Sequence, residues 1–86
     1  MVKNNEIIGY SRFNNKAGEE RLVVDVAKLP TDFDAKYGRV GMKVEQIWMP
    51  EALFDKFDES VIGKTMNCEY EVSGRYANVV NVSFSG

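Results

Sequence analysis

The element order legible in this chain, three strands, a helix and a closing strand pair, predicts a mainly β domain: a five-stranded barrel with one helix between strands three and four. Three observations carry that prediction. Short runs of apolar and polar residues alternate with period two, as half-buried strands require. The stretch "PEALFDKFDESVIG" breaks into helical spacing. Segments rich in Gly, Asn and Pro punctuate the runs, where the backbone must turn.

The first strand is "EIIGYSRF", residues 6–13, with Ile7, Ile8, Tyr10 and Phe13 at no helical spacing. "NNKAG" follows, grouping Asn14, Asn15 and Gly18, which tolerate positive φ, so a turn of several residues is expected. In "EERLVVDVAKL" Leu22, Val24 and Val26 share one face and Arg21, Val23 and Asp25 the other. This is the second strand. After Pro30, "TDFDAKYG" is polar and reads as turn-prone. "RVGMKVEQIWM", residues 39–49, is the third strand, with Val40, Met42, Val44, Gln46 and Trp48 on one face and a bend or bulge possible at Gly41.

Pro50 suits a helix start and Glu51 the positive end of the helix dipole. Leu53, Phe54, Phe57 and Val61 recur at helical spacing, and Gly63 is a natural stop. One helix over about 50–60 is therefore expected, plugging the barrel. In "KTMNCEYEVSGRYANVVNVSFSG" Met66, Cys68, Tyr70 and Val72 are assigned to the core face and Thr65, Asn67, Glu69 and Glu71 to solvent. A tight turn at Gly74 leads to a last strand anchored by Val80, Val82 and Phe84. The order is β-β-β-α-β-β in a single domain, residues 1–86.

Composition narrows the function classes. With 44% hydrophobic and 28% charged residues the chain has the make-up of a soluble globular protein. No apolar run approaches the roughly 18 residues that span a bilayer, and "MVKNNE" lacks a signal-peptide core; a cytoplasmic protein without membrane attachment is expected. Histidine is absent and Cys68 is alone. That removes the Ser/His and Cys/His nucleophile arrangements and the usual zinc sites. Asp32, Asp34 and Glu51 lack the spacing of a calcium loop. No enzyme activity, cofactor, metal or small-molecule substrate is expected. Net charge is −2, but Glu51, Asp55, Asp58 and Glu59 against Lys56 put −3 into one segment and leave +1 elsewhere.

With the helix between strands three and four, the order and lengths resemble the OB-fold, whose ligands cross strands two and three beside the loops joining strands one to two and four to five; a split barrel of SH3 type, or an open sheet with one helix packed across it, accepts much of the same pattern. Those loops are "NNKAG" and "SGRY" here. On that scaffold "FNNKAGEERLVV" resembles the first hairpin of small single-stranded-DNA-binding proteins of bacterial and phage gene V type, in which a basic residue and a glycine sit in the turn ahead of an apolar strand. Glu19 and Glu20 depart from that pattern by placing two negative charges beside the turn.

The resemblance implies a protein that binds single-stranded DNA or RNA, DNA foremost, with little sequence preference, in replication, recombination or strand protection on a chromosome, phage or mobile element. Single strands bind by base stacking on aromatics and by a positive groove along the backbone. The aromatic candidates are Tyr10, Phe13, Tyr37, Trp48 and Tyr76; the basic ones are Arg12, Lys16, Arg21, Arg39, Lys43 and Arg75. Tyr10 and Phe13 point to opposite faces, so only one can stack. Trp48 shares a face with Val40, Met42 and Val44, and core packing outweighs stacking there. Arg12, Arg21 and Lys43 are expected on the outward faces of three adjacent strands. The alternative is a protein-interaction or assembly module using a barrel edge or the acidic helix. A homodimer through the apolar last strand "YANVVNVSF" is a further expectation.

Overall fold

The computed structural model describes residues 2–86 and contains five strands: β1 Ile7–Asn14, β2 Glu20–Lys28, β3 Lys43–Trp48, β4 Thr65–Ser73 and β5 Tyr76–Ser85. They do not close into a barrel. β1, β2 and β3 form an antiparallel three-stranded sheet in that order, and β4 with β5 forms a separate hairpin. The expected five-stranded OB-like barrel is therefore replaced by an open 3+2 arrangement of a mainly β chain.

The two sheets meet at one corner. Glu6 bridges Thr65, the Ile7 amide donates to the Lys64 carbonyl at 2.9 Å, and the Met66 amide donates to the Asn5 carbonyl at 3.0 Å. Closure on the far side would require β3 to pair with β5, and two features oppose it. β3 has only six residues, because Gly41, at φ 83°, keeps the preceding segment out of the strand. On β5, Lys56 Nζ donates to the Val82 carbonyl at 3.1 Å and to Asn81 Oδ1 at 2.6 Å. The lysine thus covers part of the edge that a closing strand would use.

The β1–β2 turn forms as its residues predict. Asn15 Oδ1 accepts from the amides of Ala17 and Glu19, both at 3.0 Å, and Gly18 takes φ 80°, where an L side chain is strained. The segment after Pro30 departs from expectation. Thr31 caps a short helix, α1 Asp32–Lys36: its hydroxyl accepts from the Asp34 amide, and the Asp34 carboxylate accepts from the Thr31 amide at 2.8 Å. This is a capping box.

The expected helix over about 50–60 is instead two 3-10 turns, Glu51–Lys56 and Glu59–Val61. Phe57 between them is extended, and the Asp58 carboxylate accepts from the Ser60 amide at 2.8 Å to start the second turn. The interruption has a packing reason. It drives the Phe57 ring into the core, 5.8 Å from Tyr10 and 5.4 Å from Phe84. Leu53, Phe54 and Val61 are buried beside it. The same core takes Ile7, Leu22, Val24 and Val26 from the sheet and Met66 and Val82 from the hairpin.

The β4–β5 hairpin outruns this core. Met66 is buried and Cys68 half-buried, but Tyr70 and Val72, assigned to the same face by alternation, are exposed. A register shift after Glu69 makes Val80 an extra residue on β5. The radius of gyration, 14.2 Å, exceeds the roughly 12 Å of a compact chain this long. No helix among the described residues is long and apolar enough to cross a membrane.

Candidate nucleic-acid interface

Register sorts the side chains of the three-stranded sheet. Residues directly opposite in an antiparallel pair share a face. Leu22, Val24 and Val26 face the core, and with them their partners Arg12, Tyr10 and Ile7 on β1 and Ile47 and Glu45 on β3. The other face carries Phe13 opposite Arg21, Ser11 and Trp48 flanking Val23, Gly9 and Gln46 flanking Asp25, and Val44 beside Ala27.

The expectation that Trp48 packs into the core is reversed. Trp48 is 57% exposed on the outer face, while Ile47 and Met49 supply the core contacts of this segment. β3 is an edge strand, so the run with the greater number of apolar residues is free to face solvent. Phe13, 40% exposed, meets Trp48 edge-on with ring centroids 6.0 Å apart and planes at 71°. Val23, directly opposite Trp48 and diagonal to Phe13 on the same face, is only 8% exposed.

The cations divide. Arg21 stands on the outer face beside Phe13, and among the described residues its guanidinium pairs with Glu19 alone, at 3.4 Å. Lys16 is exposed in the adjoining turn. Arg12, by contrast, lies on the core side of the sheet. It is held by Glu20 at 2.6 Å, sits 5.5 Å from the centre of the Phe54 ring, and has Asp55 at 3.9 Å. The hydrogen bond that Arg12 donates to Glu20 raises its pKa above the ordinary value. Lys43, opposite Lys28, is bonded to both oxygens of Asp34 at 3.2 Å. Of the three cations expected on one outward face, Arg21 alone is there.

Tyr10 points inward against Phe57. Tyr37 closes α1 and packs against Phe33 with ring centroids 4.7 Å apart and planes tilted by 47°, and the Arg39 guanidinium donates to the Met42 carbonyl. Arg75 and Tyr76 form the tip of the β4–β5 hairpin, where the chain turns through Gly74. The predicted set therefore separates into four groups: Tyr10 and Arg12 on the core side of the sheet; Phe13, Lys16, Arg21 and Trp48 around its outer face; Tyr37, Arg39 and Lys43 near α1; Arg75 and Tyr76 at the hairpin tip.

Sequence reading passed over Ser11, Val44 and Gln46 as members of the outer face, and over Phe33 as the partner of Tyr37. The period-two grouping of Val44 and Gln46 with Trp48 contained the signal. Its side was misassigned.

Asp25 gives the outer face a negative spot. Its Oδ1 is buried without a hydrogen-bond partner, and Oδ2 lies 4.0 Å from where a Cβ on Gly9 would stand. A cleft of about 230 Å³ on the opposite side of the sheet is lined by Asn5, Lys28, Ile47, Met66, Cys68 and Tyr70. Burial pushes the Cys68 thiol and the Tyr70 phenol up from their ordinary values, so both are neutral at pH 7. Lys28 there already donates to Asn5 Oδ1. The sheet face, with exposed rings and an accessible guanidinium, is the better site. No family model, curated protein or solved structure matches the chain.

Proposed function

We propose that the chain binds single-stranded nucleic acid, DNA foremost, on the outer face of β1–β2–β3 and with little sequence preference. The carrying observation is the exposed edge-to-face pair of Phe13 and Trp48 with Arg21 in register beside it. Two solvent-exposed rings at this separation offer π-faces to successive bases, and each stacked base contributes about 1–3 kcal/mol. Arg21 and, from the turn, Lys16 neutralise the adjoining phosphates. Any base stacks on such rings, so the contact protects a strand without reading it. That property suits replication or recombination intermediates of a chromosome, phage or mobile element.

Few cations means weak salt dependence. With two phosphates neutralised, log K falls with log salt at a slope of about −1.4. The test is a titration of oligo-dT and oligo-rU at low salt, followed by Trp48 fluorescence and by anisotropy of a labelled strand. Binding with Trp48 quenching supports the reading. Absence of binding at tens of micromolar protein would overturn it.

A further inference from the structure

We propose that two copies of this chain associate through the outer half of the β4–β5 hairpin, with β5 paired antiparallel to its own copy about a two-fold axis. The first argument is surface area. The chain exposes 6314 Å², whereas a monomer of 9.7 kDa is expected to expose about 5,100 Å². The excess, about 1,200 Å², is larger than the roughly 800 Å² that each partner contributes to a standard interface.

The hairpin exposes several apolar side chains. Val72 is 73% and Tyr76 74% exposed, and Tyr70 and Val80 are about half exposed. A two-stranded hairpin extending past its core is marginal alone. The second exposed apolar group, Phe33, Tyr37 and Val40, is interrupted by Lys36 and Arg39 and lacks that continuity.

The identity of the occupant follows from charge. β5 contains no charged residue and no proline over its ten positions, and so lacks two of the devices that discourage edge pairing; its bulge and the Lys56 cover lie at Val80 and beyond, toward one end of the strand. Every other strand carries charge: Arg12 on β1, Glu20, Arg21, Asp25 and Lys28 on β2, Lys43 and Glu45 on β3, Glu69 and Glu71 on β4. A strand laid antiparallel on its own copy must be self-complementary. Of the five, β5 alone carries no charge at all, so no register of β5 on its own copy can oppose like charges.

Lys56 occupies the edge at Asn81 and Val82, which confines pairing to Tyr76–Val80. A register centred on Asn78 sets Tyr76 of one copy against Val80 of the other and the two Asn78 amides face to face. The result is a closed four-stranded sheet, β4–β5–β5–β4.

Sedimentation equilibrium without nucleic acid tests this directly. The wild-type chain is expected at twice its 9.7 kDa mass, and Tyr76→Lys with Val80→Lys to weaken association at least tenfold with an unchanged circular dichroism spectrum, since both side chains are exposed. Val44→Lys, on the sheet face, leaves the dimer intact. Asn78→Cys in a Cys68→Ala background cross-links as a dimer on oxidation. A monomer at hundreds of micromolar, an association indifferent to the double variant, or open-ended oligomers would each overturn the proposal. Because no strand is present, these results stand apart from the test of nucleic-acid binding.

Discussion

Phe13 and Trp48 sit on strands that do not touch, yet their rings meet across Val23 of the strand between them, 6.0 Å apart at 71°. Replacing either by Ala removes one stacking platform and is expected to weaken oligo-dT binding about tenfold, in line with 1–3 kcal/mol per stacked base. Both rings are substantially exposed, so the thermal midpoint should hardly move. Fluorescence anisotropy on each variant, beside a thermal melt, checks the pair of outcomes. Tyr10→Ala should show the reverse pattern, because its ring packs on Phe57.

Phe57 is where the two sheets meet. It touches Tyr10 from β1 and Phe84 from β5 and is buried. Phe57→Ala is expected to cost about 3–5 kcal/mol, a large share of the stability of a domain this small. Urea denaturation measures it. A cost near that of a surface substitution would mean that the interior collapses around the lost ring.

Two arginines nine residues apart should behave as different residues. On the proposed binding mode Arg21→Ala removes a phosphate contact, and the slope of log K against log salt should flatten by about 0.7. Arg12→Ala breaks contacts to Glu20, Asp55 and the Phe54 ring; it should leave that slope unchanged and lower the melting temperature slightly. Salt titrations of both variants on the same oligonucleotide separate the roles.

Acid should destabilise the fold through two capping aspartates. Asp34 is held below its ordinary pKa by the Thr31 amide, then by the Thr31 hydroxyl and Lys43. Asp58 is lowered by the Ser60 hydroxyl and amide. A carboxylate with a lower pKa folded than unfolded stabilises the fold above its unfolded value, about 3.9, and that contribution is lost as pH falls through the folded value. The melting temperature should therefore be flat from neutrality to about pH 5 and decline below about pH 4. Asp34→Asn with Asp58→Asn should remove much of that decline.

Local patterns in the chain were legible where the deciding interactions are local. Asn15 and Gly18 announce the first turn, Gly74 the second, and Leu22, Val24 and Val26 declare the core face of β2. The 31–38 segment was legible too, since Thr31 and Asp34 have capping-box spacing, but its polarity drew the reading toward a turn. What alternation could not reveal was the side of an edge strand: Val44 and Trp48 obey the period, and only the competition with Ile47 and Met49 decides which face is wet. Barrel closure was beyond reach for the same reason. It depends on whether β3 or Lys56 takes the edge of β5, a long-range contest that no spacing records. Phe13 and Arg21 were identifiable as binding candidates, but the removal of Arg12 and Lys43 from that face depends on Glu20 and Asp34, partners that spacing alone did not assign.

The absence of charge from β5 makes ionic strength a sorting tool for this molecule. The proposed binding at the sheet face would release counterions and weaken as salt rises, whereas the proposed burial of Tyr76, Val79 and Val80 would release none and strengthen in salts excluded from apolar surface. Concentrated sulfate should thus strip nucleic acid from the protein while tightening the pairing of its copies. A single preparative step would then yield the assembly free of strand.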